Sequence, residues 1–182
     1  MYGLIHRAIK DCVIAAHGEG PWHRIAARAG VDEAKFVSMQ SYPDDIAYGL
    51  VGASCDELGV EPAELLRAFG HHWVMETARK HYGPIMDFGG SDLKTFLANL
   101  DRMHEQVALS FANLDQPSFE LEDQADGSHL LHYRTHREGL ADFVIGLVEG
   151  LGEYFRQGVE ITPVDTRDDG ADHDVFRVVI RE

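Results

Sequence analysis

Basic residues are scarce in this sequence, and that scarcity limits its possible partners. It contains 16 lysines and arginines against 31 aspartates and glutamates, which gives a formal net charge of −15. Proteins that bind nucleic acid or anionic lipid surfaces neutralise phosphate charge with lysine and arginine. The composition therefore argues against both kinds of partner.

Cysteines and long hydrophobic runs are also few. Cys12 and Cys55 are isolated in the sequence, so neither a disulfide framework nor a cysteine-based zinc site is predicted. No apolar run approaches the roughly 20 residues that span a bilayer. The opening MYGLIHRAIKDCVIAAHG lacks the uninterrupted apolar stretch of a signal peptide. We therefore expect a cytoplasmic protein.

The apolar periodicity predicts helices first and strands later. Helices are expected over 2–17, 22–29, from about 32, 43–58, 61–81, 91–114 and 138–156. Strands are expected over 118–122, 129–135, 159–164 and 175–180. Gly83-Pro84 and Gly89-Gly90 should mark the connection between the fifth helix and the helix that carries His104. The predicted fold class is α+β, with a roughly four-stranded antiparallel sheet in the C-terminal half. The length of 182 residues suits one domain.

The helix predicted from Ser91, its expected N-cap, carries a histidine in the middle of an apolar stripe. Steps of four and three connect Leu93, Leu97, Leu100, His104, Val107, Phe111 and Leu114. A lone histidine on an apolar face is most often a buried imidazole that is hydrogen-bonded to a neighbour. The alternative is a neutral imidazole that is presented to a metal inside an apolar cavity.

Three polar side chains are spaced by two in the run LLHYRTHREGL, residues 130–140. They are Tyr133, Thr135 and Arg137. Side chains at i, i+2 and i+4 of a β-strand share one face. Two hydroxyls and a guanidinium on one face suit a carboxylate, because arginine offers a planar fork of donors. The alternative to a carboxylate-binding face is an ordinary solvated strand face. A metal-bound macrocycle with carboxylate tails would use both this face and His104.

The run LLHYRTHREGLADFVIGL resembles the signature strand and following helix of H-NOX domains, the heme–nitric oxide/oxygen-binding family. That family includes the heme domain of soluble guanylate cyclase and stand-alone bacterial relatives. Its motif, Tyr-x-Ser-x-Arg, is met by Tyr133, Thr135 and Arg137, with threonine in place of serine. Further matches are MYGLI at the start, LLRAFG at 65–70, NLDRMHEQV around His104, and PSF at 117–119.

The resemblance implies a b-type heme (iron protoporphyrin IX) with His104 as the axial ligand of the iron. Tyr133, Thr135 and Arg137 would then bind its propionates. No CxxCH motif for covalent attachment is present. The resemblance also implies that the heme lies between a helical distal lobe, 1–62, and a proximal lobe, 63–182, which carries the axial histidine and the sheet.

Five further residues match heme-contacting positions of the family. Ile5 and Pro117 match residues that press on and bend the porphyrin, and Ile9, Trp73 and Phe143 match residues of the distal pocket. In O2-binding members a tyrosine at the position of Phe143 donates a hydrogen bond to the ligand, which phenylalanine cannot do. The resemblance therefore implies that NO and CO bind but that O2 is not held stably. The Trp73 indole N–H is a remaining donor, and core packing is the alternative role for each residue.

The function implied by the resemblance is gas sensing and not catalysis. The signal is expected to arise from weakening of the Fe–His104 bond. Since we identify no kinase, cyclase or transmembrane segment in the sequence, we expect the chain to signal in trans, to a histidine kinase or a cyclic-nucleotide enzyme. One alternative is a heme-dependent enzyme, although Ile9, Trp73 and Phe143 offer no acid–base pair of the peroxidase kind. The other is a heme-free small-molecule binding module, in which His104 is only a core residue.

The other ten histidines are expected to be solvated or to have packing roles. No two of His71, His72 and His81 have the i, i+4 spacing that would favour a zinc site on one helix. His132 and His136 should face away from Tyr133 and Arg137. Solvated positions are expected for His6, His17, His23, His129 and His173.

Overall fold

The computed structural model of this chain describes residues 1–32, 36–109 and 115–181. The chain forms two compact units, Met1–Phe69 and Gly70–Glu182. The lobe boundary expected after residue 62 stays a prediction. None of the helices in the described ranges is long and apolar enough to cross a membrane.

The first unit is helical, with α1 at Gly3–His17, α2 at Glu19–Arg28 and α3 at Asp44–Leu58. Its core includes Trp22, Ile25 and Leu50, which are fully buried. α3 ends at Gly59, whose φ of 67° is a left-handed conformation that glycine adopts without steric cost. These three helices were predicted. Of the short helix expected from about residue 32, residues 33–35 lie outside the described residues, and residues 36–43 are not helical.

One helical segment runs from Pro62 to Gly89, where the sequence predicted a helix that ends near residue 81. α4 (Pro62–His72) passes into a π-helix (Trp73–Ala78), which is followed by α5 (Arg79–Gly89). The predicted end near residue 81 is confirmed as a kink, although the chain resumes a helical conformation beyond it. The chain kinks at Tyr82 (φ −130°, ψ 15°), and the proline therefore stands at the start of a new helical stretch, where its missing N–H costs little.

The single helix predicted over 91–114 is two helices in the structure. α6 spans Leu93–Ala98 and α7 spans Leu100–Ala108. Between them Asn99 leaves the helical conformation (φ −102°, ψ 3°), and its side-chain amide donates to the Gly89 carbonyl oxygen at 2.9 Å. This long-range contact explains the break.

The ends of that predicted helix also need correction. Its N-cap is Asp92 and not Ser91, because the Asp92 carboxylate accepts a hydrogen bond from the backbone N–H of Thr95 at 2.9 Å. Leu93, Leu97 and Leu100 of the apolar stripe are buried. Phe111 and Leu114 lie outside the described residues.

The second unit contains a four-stranded antiparallel sheet with the order β1-β2-β4-β3. The strands are β1 (Ser118–Asp123), β2 (His129–Arg134), β3 (Gly158–Asp165) and β4 (Asp174–Arg181). The turn between β1 and β2 places Gly127 at a φ of 82°, as expected for an Asp-Gly hairpin. The α+β class and the four-stranded sheet are confirmed.

α8 (Ala141–Phe155) completes the core of the second unit. Val144 and Val148 of α8, Leu131 of β2 and Phe176 of β4 are almost fully buried in this core. The alternating burial along β2 shows which of its side chains point to the core: His129, Leu131 and Tyr133. The Tyr133 side chain of β2 therefore points into the core of the second unit.

Candidate functional site

His104 lies in α7, and its imidazole has no hydrogen bond to any residue in the described part of the chain. The residue is half-buried, but its Nδ1 is buried and without a partner. Burial lowers the pKa of His104, and the Asp101 carboxylate only partly opposes that shift. The site therefore favours a neutral imidazole, which is the form that binds metals.

The Phe119 ring of β1 connects His104 to Tyr133 of β2. The Phe119 ring lies 5.8 Å from the His104 ring and 5.0 Å from the Tyr133 ring, measured between centroids. Phe119 and Tyr133 are 8% and 4% exposed. The axial-ligand candidate and the first residue of the donor motif therefore belong to one packed cluster.

Asp101 fixes the position of α7 against β1. Its carboxylate accepts hydrogen bonds from the Ser118 hydroxyl at 2.8 Å and from the Phe119 backbone N–H at 2.6 Å. Asp101 precedes His104 by three residues and so lies on the same side of the helix. Sequence reasoning missed this role, because an aspartate in a helix carries no sign of a partner 17 residues away.

The structure corrects the expectation that Tyr133, Thr135 and Arg137 share a strand face. β2 ends at Arg134, so only Tyr133 lies in the strand. The Thr135 hydroxyl instead accepts a hydrogen bond from the Arg137 backbone N–H at 3.2 Å. Threonine often turns the chain in this way, since its hydroxyl competes with the neighbouring strand for backbone donors.

Arg137 is half-buried, and part of its guanidinium is used locally. Its Nη1 donates to the Asp115 carbonyl oxygen at 2.9 Å. A guanidinium has five N–H donors in a planar fork, a geometry that suits a carboxylate. Thr135 is also half-buried. The hydroxyl and the guanidinium thus come from a short loop directly after β2.

The other predicted cofactor contacts are distributed over several elements. Trp73 begins the π-helix, Phe143 lies in the first turn of α8, and Pro117 directly precedes β1; all three are half-buried. In the first unit, α1 carries Ile5, which is half-buried, and Ile9, which is buried. The structure places Trp73 at an irregular helix, a feature that often marks functional sites.

Gly70 allows the helical segment that carries Trp73 to approach α8 closely. A Cβ atom at Gly70 would lie 2.2 Å from the carbonyl oxygen of Phe143 and 2.7 Å from the backbone nitrogen of Leu147. Only glycine fits such a contact between backbones. The sequence match LLRAFG includes this residue, but nothing in the sequence alone showed what it contacts.

Two histidines that were expected to be solvated are buried. His6 is fully buried, its Nδ1 donates to the Tyr2 carbonyl oxygen at 3.1 Å, and its ring stacks on Phe36 with centroids 4.6 Å apart. His129 is 7% exposed and lies 2.9 Å from the Asp123 carboxylate. Those two expectations were wrong. His17 and His23 are exposed, as expected.

His132 and His136 lie apart from the His104 cluster. His132 is on the opposite face of β2 from Tyr133, where its Nδ1 lies 2.9 Å from the Nε2 of His173. His136 is exposed, and its Nδ1 lies 3.1 Å from the Asp115 carboxylate. Both side chains are therefore occupied with surface contacts.

The residues present fit a heme better than a metal ion held by protein ligands alone. Among residues 1–32, 36–109 and 115–181, no group of three or more histidine, cysteine or acidic side chains could hold a metal. A heme iron, by contrast, needs only an axial imidazole from the protein. His104 offers a buried nitrogen that no described residue satisfies, and the hydroxyl and guanidinium donors of the loop after β2 suit carboxylates.

Comparisons with known proteins agree with this chemistry. The family model described as Haem-NO-binding matches residues 2–163. Soluble guanylate cyclase gcy-32 of Caenorhabditis elegans is 33% identical over 152 residues, which cover 82% of this chain and 22% of the cyclase. Guanylate cyclase soluble subunit beta-2 of Rattus norvegicus is 32% identical over 121 residues, 63% of this chain and 18% of that protein. The chain thus spans about a fifth of the length of these relatives.

Solved structures share the fold. A crystal structure of an H-NOX protein from S. oneidensis in the Fe(II)NO ligation state superposes with a TM-score of 0.89, at 21% identity and full coverage of both chains. An NMR structure of an H-NOX domain from Shewanella oneidensis in the Fe(II)CO ligation state gives a TM-score of 0.86, at 21% identity over 100% of this chain and 99% of that one. Together with the family match over most of its length, these observations show that the chain belongs to the Haem-NO-binding, or H-NOX, family.

Proposed function

We propose that this chain is a heme-based sensor of NO that signals through His104 and has no catalytic activity of its own. The observation that carries the proposal is the state of His104, a desolvated imidazole without a hydrogen-bond partner in the described residues. A core histidine is normally hydrogen-bonded, because an unsatisfied buried ring nitrogen costs about 1–3 kcal/mol. A metal bond accounts for that cost.

In this proposal His104 is the axial ligand of a non-covalently bound b-type heme. Tyr133, Thr135 and Arg137 bind the propionates, since the latter two supply donors from the loop after β2 and Tyr133 lies at the end of that strand. Threonine in place of the family's serine keeps the hydroxyl. The heme would supply an iron site for NO or CO, and binding of NO there would weaken the bond to His104.

The proposed selectivity rests on the residues expected around the gas ligand. Phe143 cannot donate a hydrogen bond, and Ile9 is apolar. Bound O2 needs a donor more than NO does, so we propose that NO and CO bind without a stable O2 complex. Ile5 and Pro117 are proposed to press on the porphyrin.

Signalling is proposed to begin with the release of His104. Asp101 joins α7 to the start of β1 through its contacts with Ser118 and Phe119. Release of His104 would remove one restraint on α7, so a partner protein that contacts this helix or strand could detect the change. A coupling free energy of about 1–3 kcal/mol is sufficient for such a signal. A histidine kinase or a cyclic-nucleotide enzyme is the proposed partner, which is in keeping with the similarity to guanylate cyclases.

The test uses the ferrous, heme-reconstituted protein. We expect its NO complex to show no electron paramagnetic resonance coupling to a second nitrogen, and its CO complex to keep the His104 ligand. Exposure to air should oxidise the protein without a stable oxy spectrum.

Phe143→Tyr is the matched variant for selectivity, since it adds only a hydroxyl to the same ring. It should lengthen the lifetime of any O2 complex. A long-lived oxy spectrum of the unmodified protein would contradict the proposed selectivity, and retained nitrogen coupling in the NO complex would contradict the release of His104.

A further inference from the structure

No β-ladder among the described residues holds the loop that follows β2. The pairing of β2 with β4 ends at Tyr133 and Asp174, and the pairing of β2 with β1 ends at Arg134 and Ser118. Backbone carbonyls beyond these pairs need other partners, because unpaired polar groups are costly away from water. Thr135 and Arg137 lie in this unpaired loop, so their positions depend on contacts outside the sheet.

The Arg167 side chain binds two of these carbonyls. Its Nη1 donates to the carbonyl oxygen of Thr135 at 3.1 Å and to that of Arg137 at 3.0 Å. Its Nη2 lies 3.6 Å from the Glu138 carboxylate, and its side chain is only 26% exposed. A single guanidinium therefore binds alternate carbonyls of the loop, as a neighbouring strand would do.

Arg167 is itself held firmly in place. It begins a short 3₁₀-helix, Arg167–Asp169, which is capped by Thr166. The Arg167 backbone N–H donates to the Asp174 carboxylate at 2.8 Å. Asp174 is 6% exposed and is the residue of β4 that pairs with Tyr133. The arginine is thus anchored to the sheet at the position where the ladder of β2 ends.

We propose that Arg167 is the positioning residue that keeps Thr135 and Arg137 aligned with the heme propionates. Beyond Tyr133, where the pairing of β2 with β4 ends, Arg167 binds the backbone carbonyls in place of a neighbouring strand. This explains how Thr135 and Arg137 are held although they lie outside the strand. Arg167 acts through the loop backbone and need not touch the heme. The inference rests on the proposed function.

The test compares Arg167→Gln with Arg177→Gln in the heme-loaded protein. Arg177 is a matched control, since it lies on β4 and pairs through Nη2 with the Asp126 carboxylate at 2.9 Å, in the turn between β1 and β2. The rate of heme release is measured by transfer to an apo-globin acceptor. It is measured with protoheme and with heme dimethyl ester, whose esterified propionates carry no charge.

We expect Arg167→Gln to release protoheme roughly tenfold faster than the unmodified protein, the size of effect expected from loss of one charged hydrogen-bonded contact. Release of the dimethyl ester should be unchanged, and Arg177→Gln should alter neither rate. Combined with Arg137→Gln, the Arg167 substitution should add little further, because both act on the same contact. Arg167→Lys, which keeps the positive charge, should release protoheme at a rate between those of the unmodified protein and Arg167→Gln. It replaces the glutamine variant if that variant does not fold.

The outcomes separate this inference from the proposed function. If the unmodified chain takes up no heme, both are overturned. If the chain holds protoheme through His104 but the Arg167 variants release protoheme no faster, this inference alone is overturned. Equal acceleration for protoheme and its dimethyl ester would also overturn it, since Arg167 would then support the fold and not the propionate contacts.

Discussion

His6 and His104 show two different uses of an imidazole on a helix with apolar neighbours. His6 lies in the first unit and His104 in the second. Burial lowers the pKa of both, and each has a buried ring nitrogen without a partner in the described residues. Burial and a lowered pKa therefore do not distinguish a core histidine from a metal ligand.

The surroundings of the two rings do distinguish them. His6 is fully enclosed, donates to the Tyr2 carbonyl oxygen, and contacts the rings of Phe36 and Tyr42. His104 is only half-buried, and neither of its ring nitrogens is hydrogen-bonded to a residue that the structure describes. The ring that remains partly open and without hydrogen bonds is the one suited to bind a cofactor.

The largest expected effect comes from the same substitution at both histidines in heme-free protein. His6→Ala should lower the free energy of unfolding by roughly 3 kcal/mol, because it leaves a cavity in a closed core and removes a hydrogen bond. His104→Ala should change it by less than about 1 kcal/mol, since a half-buried ring loses less packing and no hydrogen bond is removed, whereas both substitutions delete one unsatisfied buried nitrogen. Urea titrations of the two variants and the unmodified chain measure both values.

Equal losses of stability at both positions would contradict this comparison. His104 would then be a core residue like His6, and the heme-free binding module would become the better account of the chain.

Glycines on the helices of the two units are expected to respond in opposite directions to substitution by alanine. Gly70→Ala should cost roughly 1–3 kcal/mol of stability, because the new Cβ would overlap the carbonyl oxygen of Phe143. Gly52 is exposed within α3, and a Cβ atom added there would meet no described residue within 4 Å beyond the backbone of its own helix. Gly52→Ala should therefore raise stability by up to about 1 kcal/mol. Urea titration measures both, and a neutral Gly70→Ala would contradict the close approach to α8.

Local patterns in the sequence were sufficient for most of the fold. The Asp126-Gly127 turn and the alternating residues on each side of it predicted the hairpin, and the apolar spacing after Glu138 predicted α8. These elements depend on residues close together in the chain. The break at Asn99 could not be predicted in this way, since it depends on a contact with Gly89 ten residues earlier.

The arrangement of the candidate site residues was predictable only in part. Spacing drew attention to His104, Tyr133, Thr135 and Arg137, but it wrongly extended β2 through the last two. The structure shows that the loop after β2 is held by Arg167, which is 32 residues from Thr135 in the sequence. Periodicity reports which side chains share a local face, and it contains no information on such distant contacts.

The ferrous absorption spectrum of His104→Gly, recorded with and without added imidazole, tests the central claim most directly. The account predicts that the variant retains heme only when imidazole is supplied, because the free imidazole then takes the place of the missing side chain at the iron. An unchanged ferrous spectrum in the absence of imidazole would show that another residue holds the iron, and it would contradict the assignment of His104.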